Sequence, residues 1–329
     1  MKKFIFIIFF ITGLFVVQPI SALTISPPIK EFTIERGTEI SDVIKLINEE
    51  DSEKTFYTSV EGFKTKNEGG EPMFFATTDK AQLATWITVD SKSVTLKPKE
   101  EKEIKYTIKV PENASTGGQY AAIFWSSQPP ETSSEVGIGV VAKIGALILV
   151  TIPGEIKEEM QVIDFSTPFK FFSRLPVKFT IDFENSGNIH LKPKGIIKIT
   201  PKFLGIGKGE LKINDIEGNI LPQSVRKFEL TWIKKFVQEK KTKNLFSGFV
   251  EELKNEWNNF AIGYFEANLF VVFGQTEPKY IEKTYNFWVI PWMIVLLVLL
   301  LAIIILFILR IGIKKYNQWI IKKYQKNNL

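Results

Sequence analysis

The sequence predicts an all-β fold of two β-sandwich domains in tandem, followed by one transmembrane helix. Short segments in which apolar and polar residues alternate, separated by turn residues, run from residue 23 to residue 287. An uncharged apolar stretch then occupies residues 288–309. The chain of 329 residues contains no cysteine, so its stability must come from hydrophobic cores rather than disulfides, which requires domains of ordinary size.

The apolar stretch at residues 288–309 reads WVIPWMIVLLVLLLAIIILFIL. A helix of this length spans about 33 Å, and the hydrocarbon core of a bilayer is about 30 Å thick. Trp288 and Trp292 are suited to the membrane interface, and Arg310, Lys314 and Lys315 follow the stretch. Basic residues are retained on the cytoplasmic side, so we expect a basic cytoplasmic tail at residues 310–329 and an extracellular location for the preceding domains.

The N-terminal segment, residues 1–22, has the pattern of a secretory signal peptide. Lys2 and Lys3 precede an apolar run, and Ser21 and Ala22 supply the small residues of a cleavage site. The alternative is an uncleaved first span, which would give a protein with two transmembrane helices. Both interpretations place the following domains outside the cytoplasm.

The net charge of +6 arises from the membrane-flanking segments. Eight of the 42 Lys and Arg residues lie before residue 23 or after residue 309, which leaves 34 basic against 36 acidic residues between them. The outer region is therefore slightly acidic, and the charge gives no reason to expect nucleic-acid binding. The abundance of Lys, Ile, Phe and Asn is typical of a bacterial protein.

The first predicted domain covers residues 23–154. Its clearest strand is 102–110, where Ile104, Tyr106 and Ile108 alternate with polar residues. Residues 86–89 and 93–96 are interpreted as a tight strand pair, and no convincing helix is present. About eight strands in this length indicate a sandwich.

The second predicted domain covers residues 155–287. Alternating strands are predicted at 177–183, 265–273 and 281–287, and the first of these ends in the turn sequence Asn-Ser-Gly-Asn. The last strand leads directly into the apolar stretch.

An amphipathic helical insertion is predicted in the second domain at about residues 233–260. Large apolar residues recur at helical spacing, among them Phe249, Leu253 and Trp257. We expect these three side chains to face the second domain and to be largely buried, because both ends of the insertion connect to strands of one sandwich. The alternative is an interaction helix that contacts lipid or a partner, although its mixed charge is untypical of a lipid-bound helix.

The sequence offers no catalytic, cofactor or metal site. His190 is the only histidine and follows a turn, so neither a histidine metal cluster nor, without cysteine, a thiolate site can be assembled. Four aromatic residues of the first domain are open to two interpretations, as core residues or as a stacking surface for a sugar or a partner: Phe74, Phe75, Trp86 and Trp125. These features predict a non-enzymatic protein without cofactors.

Three segments carry a resemblance to a known family. TISPPIKEFTIERGTEISDVIKLINEE and SVTLKPKEEKEIKYTIKVPENASTGGQYAAIFW lie in the first domain, and FENSGNIHLKPKG lies in the second. Together they resemble the WxL-interacting surface proteins of Gram-positive bacteria. The resemblance implies immunoglobulin-like sandwiches, a peptidoglycan-binding first domain and a second domain that binds a partner protein or a host component. The shared motifs are structural turns, so no ligand-contacting residue is transferred.

These observations predict a membrane-anchored cell-surface binding or scaffold protein. Its expected partners are the membrane, through one span, and a cell-wall polymer or a surface protein. An extracytoplasmic assembly or sensor component of a membrane complex is the alternative, and an extracytoplasmic hydrolase is less favoured because no catalytic set can be assembled.

Overall fold

The computed structural model describes residues 23–66, 68–75, 82–129, 142–234 and 245–327. The predicted signal peptide and most of the basic run that precedes the predicted helical insertion lie outside the described residues. The chain divides into two compact units at the bond between Gly154 and Glu155, and the segment Lys64–Met73 belongs to the second unit. The predicted fold class is confirmed: the protein is mainly β, with immunoglobulin-like sandwiches, few helices and one C-terminal apolar helix.

The first unit is a sandwich of two sheets. Its elements are β1 (Leu23–Ser26), β2 (Ile29–Thr33), β3 (Glu39–Asn48), β4 (Lys54–Thr65), β5 (Pro72–Phe75), α1 (Gln82–Trp86), β6 (Ile87–Val89), β7 (Ser93–Leu96), β8 (Glu101–Lys109), β9 (Gly117–Ser126) and β10 (Lys143–Ile152). One sheet has the order β1-β3-β8-β6, and the other has the order β2-β10-β9-β4-β5 with β7 paired to β4. Pro27 and Pro28 separate β1 from β2, and the chain changes sheets there.

The core of the first unit lies between its two sheets. The strand β8 contributes Ile104, Tyr106 and Ile108, which are buried at alternate positions as the sequence predicts. Trp125 from β9 is also buried in this core. The alternation places one face of β8 in the core and the other toward solvent.

The predicted pairing of residues 86–89 with 93–96 is wrong. Strand β6 pairs with β8 and strand β7 pairs with β4, so the two segments belong to opposite sheets. Trp86 belongs to the short helix α1 rather than to a strand. The connection between β6 and β7 is short, but here it passes between the sheets, and segment length alone does not distinguish such a connection from a hairpin.

The second unit contains a second pair of sheets. Its strands are β11 (Met160–Ser166), β12 (Phe171–Phe172), β13 (Val177–Asn185), β14 (Lys194–Ile206), β15 (Gly209–Ile213), β16 (Ser224–Trp232), β17 (Ile262–Phe273) and β18 (Lys279–Val289). One sheet has the order β11-β13-β16 and the other has the order β12-β18-β17-β14-β15. The alternating strands predicted at 177–183, 265–273 and 281–287 correspond to β13, β17 and β18.

Aromatic side chains fill the core of the second unit. Phe287, on the last strand, has its ring centroid 5.6 Å from that of Phe179 and 5.7 Å from that of Phe265. Trp232 and Phe172 lie on two further sides of the same ring, both at 6.1 Å. Edge-to-face and stacked aromatic pairs at these distances add to the stabilisation from burial. The strand that precedes the apolar helix is therefore held firmly in the core.

Two helices complete the second unit: α2 (Leu245–Asn258) and α3 (Trp292–Asn327). The helical character of the predicted insertion is confirmed by α2. The predicted span has a different start, because residues 288–289 belong to β18 and the helix begins at Trp292. Pro291 directly precedes α3, and proline is favoured at helix starts since it needs no backbone hydrogen-bond acceptor.

Candidate functional site

The junction between β18 and α3 is the candidate functional site. Only Ile290 and Pro291 separate the end of the strand from the start of the helix. Residues Trp292–Lys322 have a mean hydropathy of 3.5 in their most apolar part, none of which is buried inside the protein. By length and composition this helix can cross a membrane.

The residues predicted to anchor the span lie at different levels of this junction. Trp288 lies on β18, where its ring centroid is 5.0 Å from that of Tyr264. Trp292 is the first residue of α3 and is exposed. Arg310, Lys314 and Lys315 are exposed on the same helix, which continues through them. The predicted tail therefore begins as a continuation of α3.

A buried carboxylate joins α2 to the first turn of α3. Glu256 is only 2% exposed, and its carboxylate accepts hydrogen bonds from the backbone N–H groups of Met293 at 3.4 Å and Ile294 at 3.1 Å. The first N–H groups of a helix have no partners within it, and their partial positive charge favours an anion. Glu256 thus acts as the N-terminal cap of the apolar helix, although it lies far from it in sequence.

The predicted orientation of α2 is wrong. Phe249 is 47% exposed and Trp257 is 71% exposed, while Leu253 is partly buried. Among residues 247–258 of the helix, whose side chains the structure describes, the buried ones are instead polar, namely Asn255 and Glu256. The buried position of Glu256 is stable because its carboxylate has specific hydrogen-bond partners, and the amphipathic pattern alone cannot reveal them.

A second contact fixes α2 against the sandwich. Arg174, which follows β12, forms an ion pair with Glu252 of the helix. The backbone carbonyl of Asn259, just after the helix, accepts a hydrogen bond from the N–H of Leu175 at 3.4 Å. The helix is therefore held through its polar face, which leaves Phe249, Val250 and Trp257 exposed.

An ion pair lies on the neighbouring part of the sheet. Lys202 on β14 approaches Glu266 on β17 to 2.8 Å, and the amide of Asn268 donates to the same carboxylate at 3.2 Å. These two hydrogen bonds lower the pKa of Glu266. Glu266 therefore remains charged and paired at neutral pH.

The four aromatic residues singled out in the first domain have packing roles. Trp125 is buried in the core, and Phe75 and Trp86 pack against that core. Phe74 lies edge-on to Phe124 with ring centroids 4.7 Å apart, and the Lys143 ammonium lies 4.1 Å from the Phe124 ring centroid. The structure thus favours the core interpretation for Phe75, Trp86 and Trp125, whereas Phe74 packs on Phe124 outside that core cluster.

The described residues show no arrangement typical of metal chemistry. No group of three or more His, Asp or Glu side chains within the described ranges could hold a metal ion. His190 is buried, and its backbone carbonyl accepts a hydrogen bond from Gln275 at 3.1 Å. His190 is therefore a structural residue and not a solvent-facing one.

No family model matches the sequence, and no curated protein matches it either. Solved structures with a similar arrangement include the CFA/I fimbrial chaperone–tip adhesin complex, with 12% identity, coverage of 81% of this chain and 99% of that chain, and a TM-score of 0.38. The CsuC–CsuE chaperone–tip adhesion subunit complex of Acinetobacter baumannii has 11% identity, coverage of 80% of this chain and 98% of that chain, and a TM-score of 0.38. The E. coli chaperone DraB has 10% identity, coverage of 80% of this chain and 98% of that chain, and a TM-score of 0.36. These values are too low to transfer a partner or an activity to this chain.

Proposed function

We propose that this chain is a non-enzymatic, membrane-anchored bacterial surface protein that presents its β-sandwich units outside the cell to bind an envelope polymer or a partner surface protein. The observation that carries the proposal is the junction between the second sandwich and α3. The last strand is held by the aromatic core, and two residues later the chain enters an apolar helix capped by Glu256. A sandwich joined so closely to a span is held near the membrane surface.

The orientation follows from charge. Arg310, Lys314 and Lys315 follow the apolar part of α3, and basic residues of short flanking segments remain in the cytoplasm. The tail is therefore cytoplasmic and the sandwiches are extracellular. The resemblance to the WxL-interacting surface proteins supports a ligand of the peptidoglycan type or a surface protein.

Co-sedimentation with purified cell-wall sacculi tests the polymer interpretation. The full chain in detergent is mixed with sacculi and centrifuged, and a fragment comprising residues 291–329 serves as the matched control. We expect the full chain to sediment and the fragment to stay in the supernatant. Photo-crosslinking from the outer units in intact cells tests the protein interpretation in parallel. Absence of both sacculus binding and any specific crosslinked protein would contradict the proposal.

A further inference from the structure

Four aromatic residues form one row across the larger sheet of the second unit. The strand register pairs Phe203 with Tyr264, Tyr264 with Trp288, and Trp288 with Phe171. Residues paired directly across strands project from the same face of a sheet. Tyr264, Trp288 and Phe171 therefore share one face across β17, β18 and β12, and Phe203 adjoins them on β14 between two irregularities of the register.

This face is the outer one. Phe265 and Phe287, which follow Tyr264 and precede Trp288, are buried in the core. Since successive side chains of a strand point to opposite faces, the aromatic row points away from the core. Its two end members are largely exposed, Phe171 by 66% and Phe203 by 61%. Exposed aromatic rows of this kind are typical of interaction surfaces.

The row lies close to the level at which the chain enters the membrane. Trp288 precedes Trp292 by four residues, which would span at most about 13 Å if the chain were fully extended. The apolar part of α3 before Arg310 spans about 27 Å, slightly less than the hydrocarbon core of about 30 Å. A short span draws its flanking residues toward the bilayer, so the row comes near the headgroup region, where Trp and Tyr are enriched.

The exposed side of α2 adds a second apolar surface at this level. Phe249, Val250 and Trp257 lie at helical spacing and are all exposed. The hydrogen bonds from Met293 and Ile294 to Glu256 hold the helix at the first turn of α3. The helix is thus fixed beside the point of membrane entry.

The charges around these surfaces suit a lipid partner. The mixed charge of α2 is partly neutralised within the protein, because Glu252 pairs with Arg174 and Glu256 caps α3. Two exposed lysines lie near the row in sequence: Lys170 directly precedes Phe171, and Lys208 lies in the connection that follows β14. Apolar side chains accompanied by basic ones are typical of surfaces that bind anionic bilayers.

We propose that the aromatic row (Phe171, Trp288, Tyr264 and Phe203) and the exposed side of α2 (Phe249, Val250 and Trp257) form a membrane-contact collar that lies in the headgroup region of an anionic bilayer. The occupant of this surface is the lipid of the same membrane that α3 spans. The inference rests on the proposed anchoring by α3. The collar gives the second unit a second attachment to the membrane beside its covalent one.

Site-directed spin labelling of the full chain tests the collar, since the chain has no native cysteine to interfere. The chain is placed in nanodiscs of phosphatidylcholine and phosphatidylglycerol at a ratio of about 3:1, an anionic composition chosen to match these lysines. Nitroxides are attached to Val250→Cys, to Leu300→Cys in the middle of α3, and to Asp215→Cys. Asp215 is an exposed residue just after β15, at the opposite end of the sheet. Accessibility to oxygen and to a water-soluble nickel chelate is then measured by power saturation.

The collar predicts that Val250 and Leu300 are more accessible to oxygen than to nickel, and that Asp215 shows the reverse. A nickel-accessible Val250 with a lipid-exposed Leu300 would overturn the collar and leave the anchor intact. A nickel-accessible Leu300 would overturn both. Low accessibility of Val250 to both reagents would also overturn the proposal, because it would show that protein and not lipid covers α2.

Discussion

At the scale of single residues, buried asparagines fix the turns at the ends of two strands. Asn48 ends β3 and Asn185 ends β13, and both are fully buried. The Asn185 amide donates to the carbonyls of Ile189 at 2.8 Å and Ile220 at 2.9 Å, and its oxygen accepts from the N–H of Gly187 at 2.9 Å. Asn48 donates in the same manner to three carbonyls. The asparagine at each strand end thus replaces missing backbone partners.

Substitution of Asn185 by Ala should destabilise the second unit by about 1–3 kcal/mol, since the three hydrogen bonds of its buried amide are lost. The carbonyl of Ile220 and the N–H of Gly187 each keep one backbone hydrogen bond. Ser186→Ala is the matched control, because its side chain is exposed in the same turn. Urea unfolding of the full chain in detergent measures the difference. Equal stability of both variants would show that water replaces the amide and that the network is dispensable.

An ion pair between the two sheets of the first unit makes its stability depend on pH. Lys30 on β2 approaches Asp42 on β3 to 2.7 Å. Partial burial raises the pKa of Asp42, but the hydrogen bond and charge of Lys30, together with the N–H of Val43 and the hydroxyl of Tyr106, outweigh this effect and lower it. A carboxyl whose pKa is lower in the folded than in the unfolded protein stabilises the fold. This stabilisation is fully present above the pKa of the unfolded state, about 3.9, and it is lost as the pH falls through the pKa of the folded state.

At pH 7, Asp42→Asn should therefore have a lower free energy of unfolding than the parent. When the pH is lowered below about 4, the free energy of unfolding should fall by less in Asp42→Asn than in the parent. Denaturant unfolding at neutral and acidic pH compares the two proteins, with the exposed Asp90→Asn as control. If acidification lowered the stability of the parent and of Asp42→Asn by the same amount, the ion pair would not contribute to the pH dependence.

At the scale of elements, the contact between α2 and α3 depends on one carboxylate. Replacing Glu256 by Ala should weaken the first turn of α3 by about 0.5–2 kcal/mol, the usual contribution of an N-terminal cap. Hydrogen exchange of the backbone amides of Met293 and Ile294 should become faster. Glu251→Ala, on the same helix, should leave the exchange unchanged. Unchanged exchange in Glu256→Ala would mean that another group caps α3.

The strands that could be predicted are those with strict alternation. In β8, β13 and β17 every second side chain enters a core, so the period of two is visible in the sequence. The pairing of residues 86–89 with 93–96 failed because sheet membership depends on long-range contacts. The sequence pattern predicts a span that starts at residue 288 because Trp288 and Val289 are apolar, and apolar residues suit the end of a buried strand as well as a membrane helix.

The candidate site was predictable only in part. The apolar stretch revealed the span, and helical spacing revealed α2. The role of Glu256 has no local signal, since its partners lie in another helix, 37 and 38 positions along the chain. The orientation of α2 could not be read from its pattern, because an apolar stripe fits a protein core and a lipid surface equally well. Only the polar contacts of Glu252 and Glu256 show that the apolar stripe faces away from the protein core.

At the scale of the whole molecule, two β-sandwich units precede one apolar helix that can cross a membrane. The proposed function requires both units on the outer side and the end of α3 on the cytoplasmic side. The chain contains no cysteine, so single cysteines report the side of the membrane without background. Suitable positions are Ser93 in the first unit, Asp215 in the second and Asn317 near the end of α3, all of which are exposed.

Labelling of these three cysteine variants in intact cells with a membrane-impermeant maleimide tests the central claim most directly. The account predicts that Ser93→Cys and Asp215→Cys are labelled in intact cells, whereas Asn317→Cys is labelled only after the membrane is permeabilised. Labelling of Asn317→Cys in intact cells, with protection of the other two positions, would contradict the orientation and with it the proposed role at the cell surface.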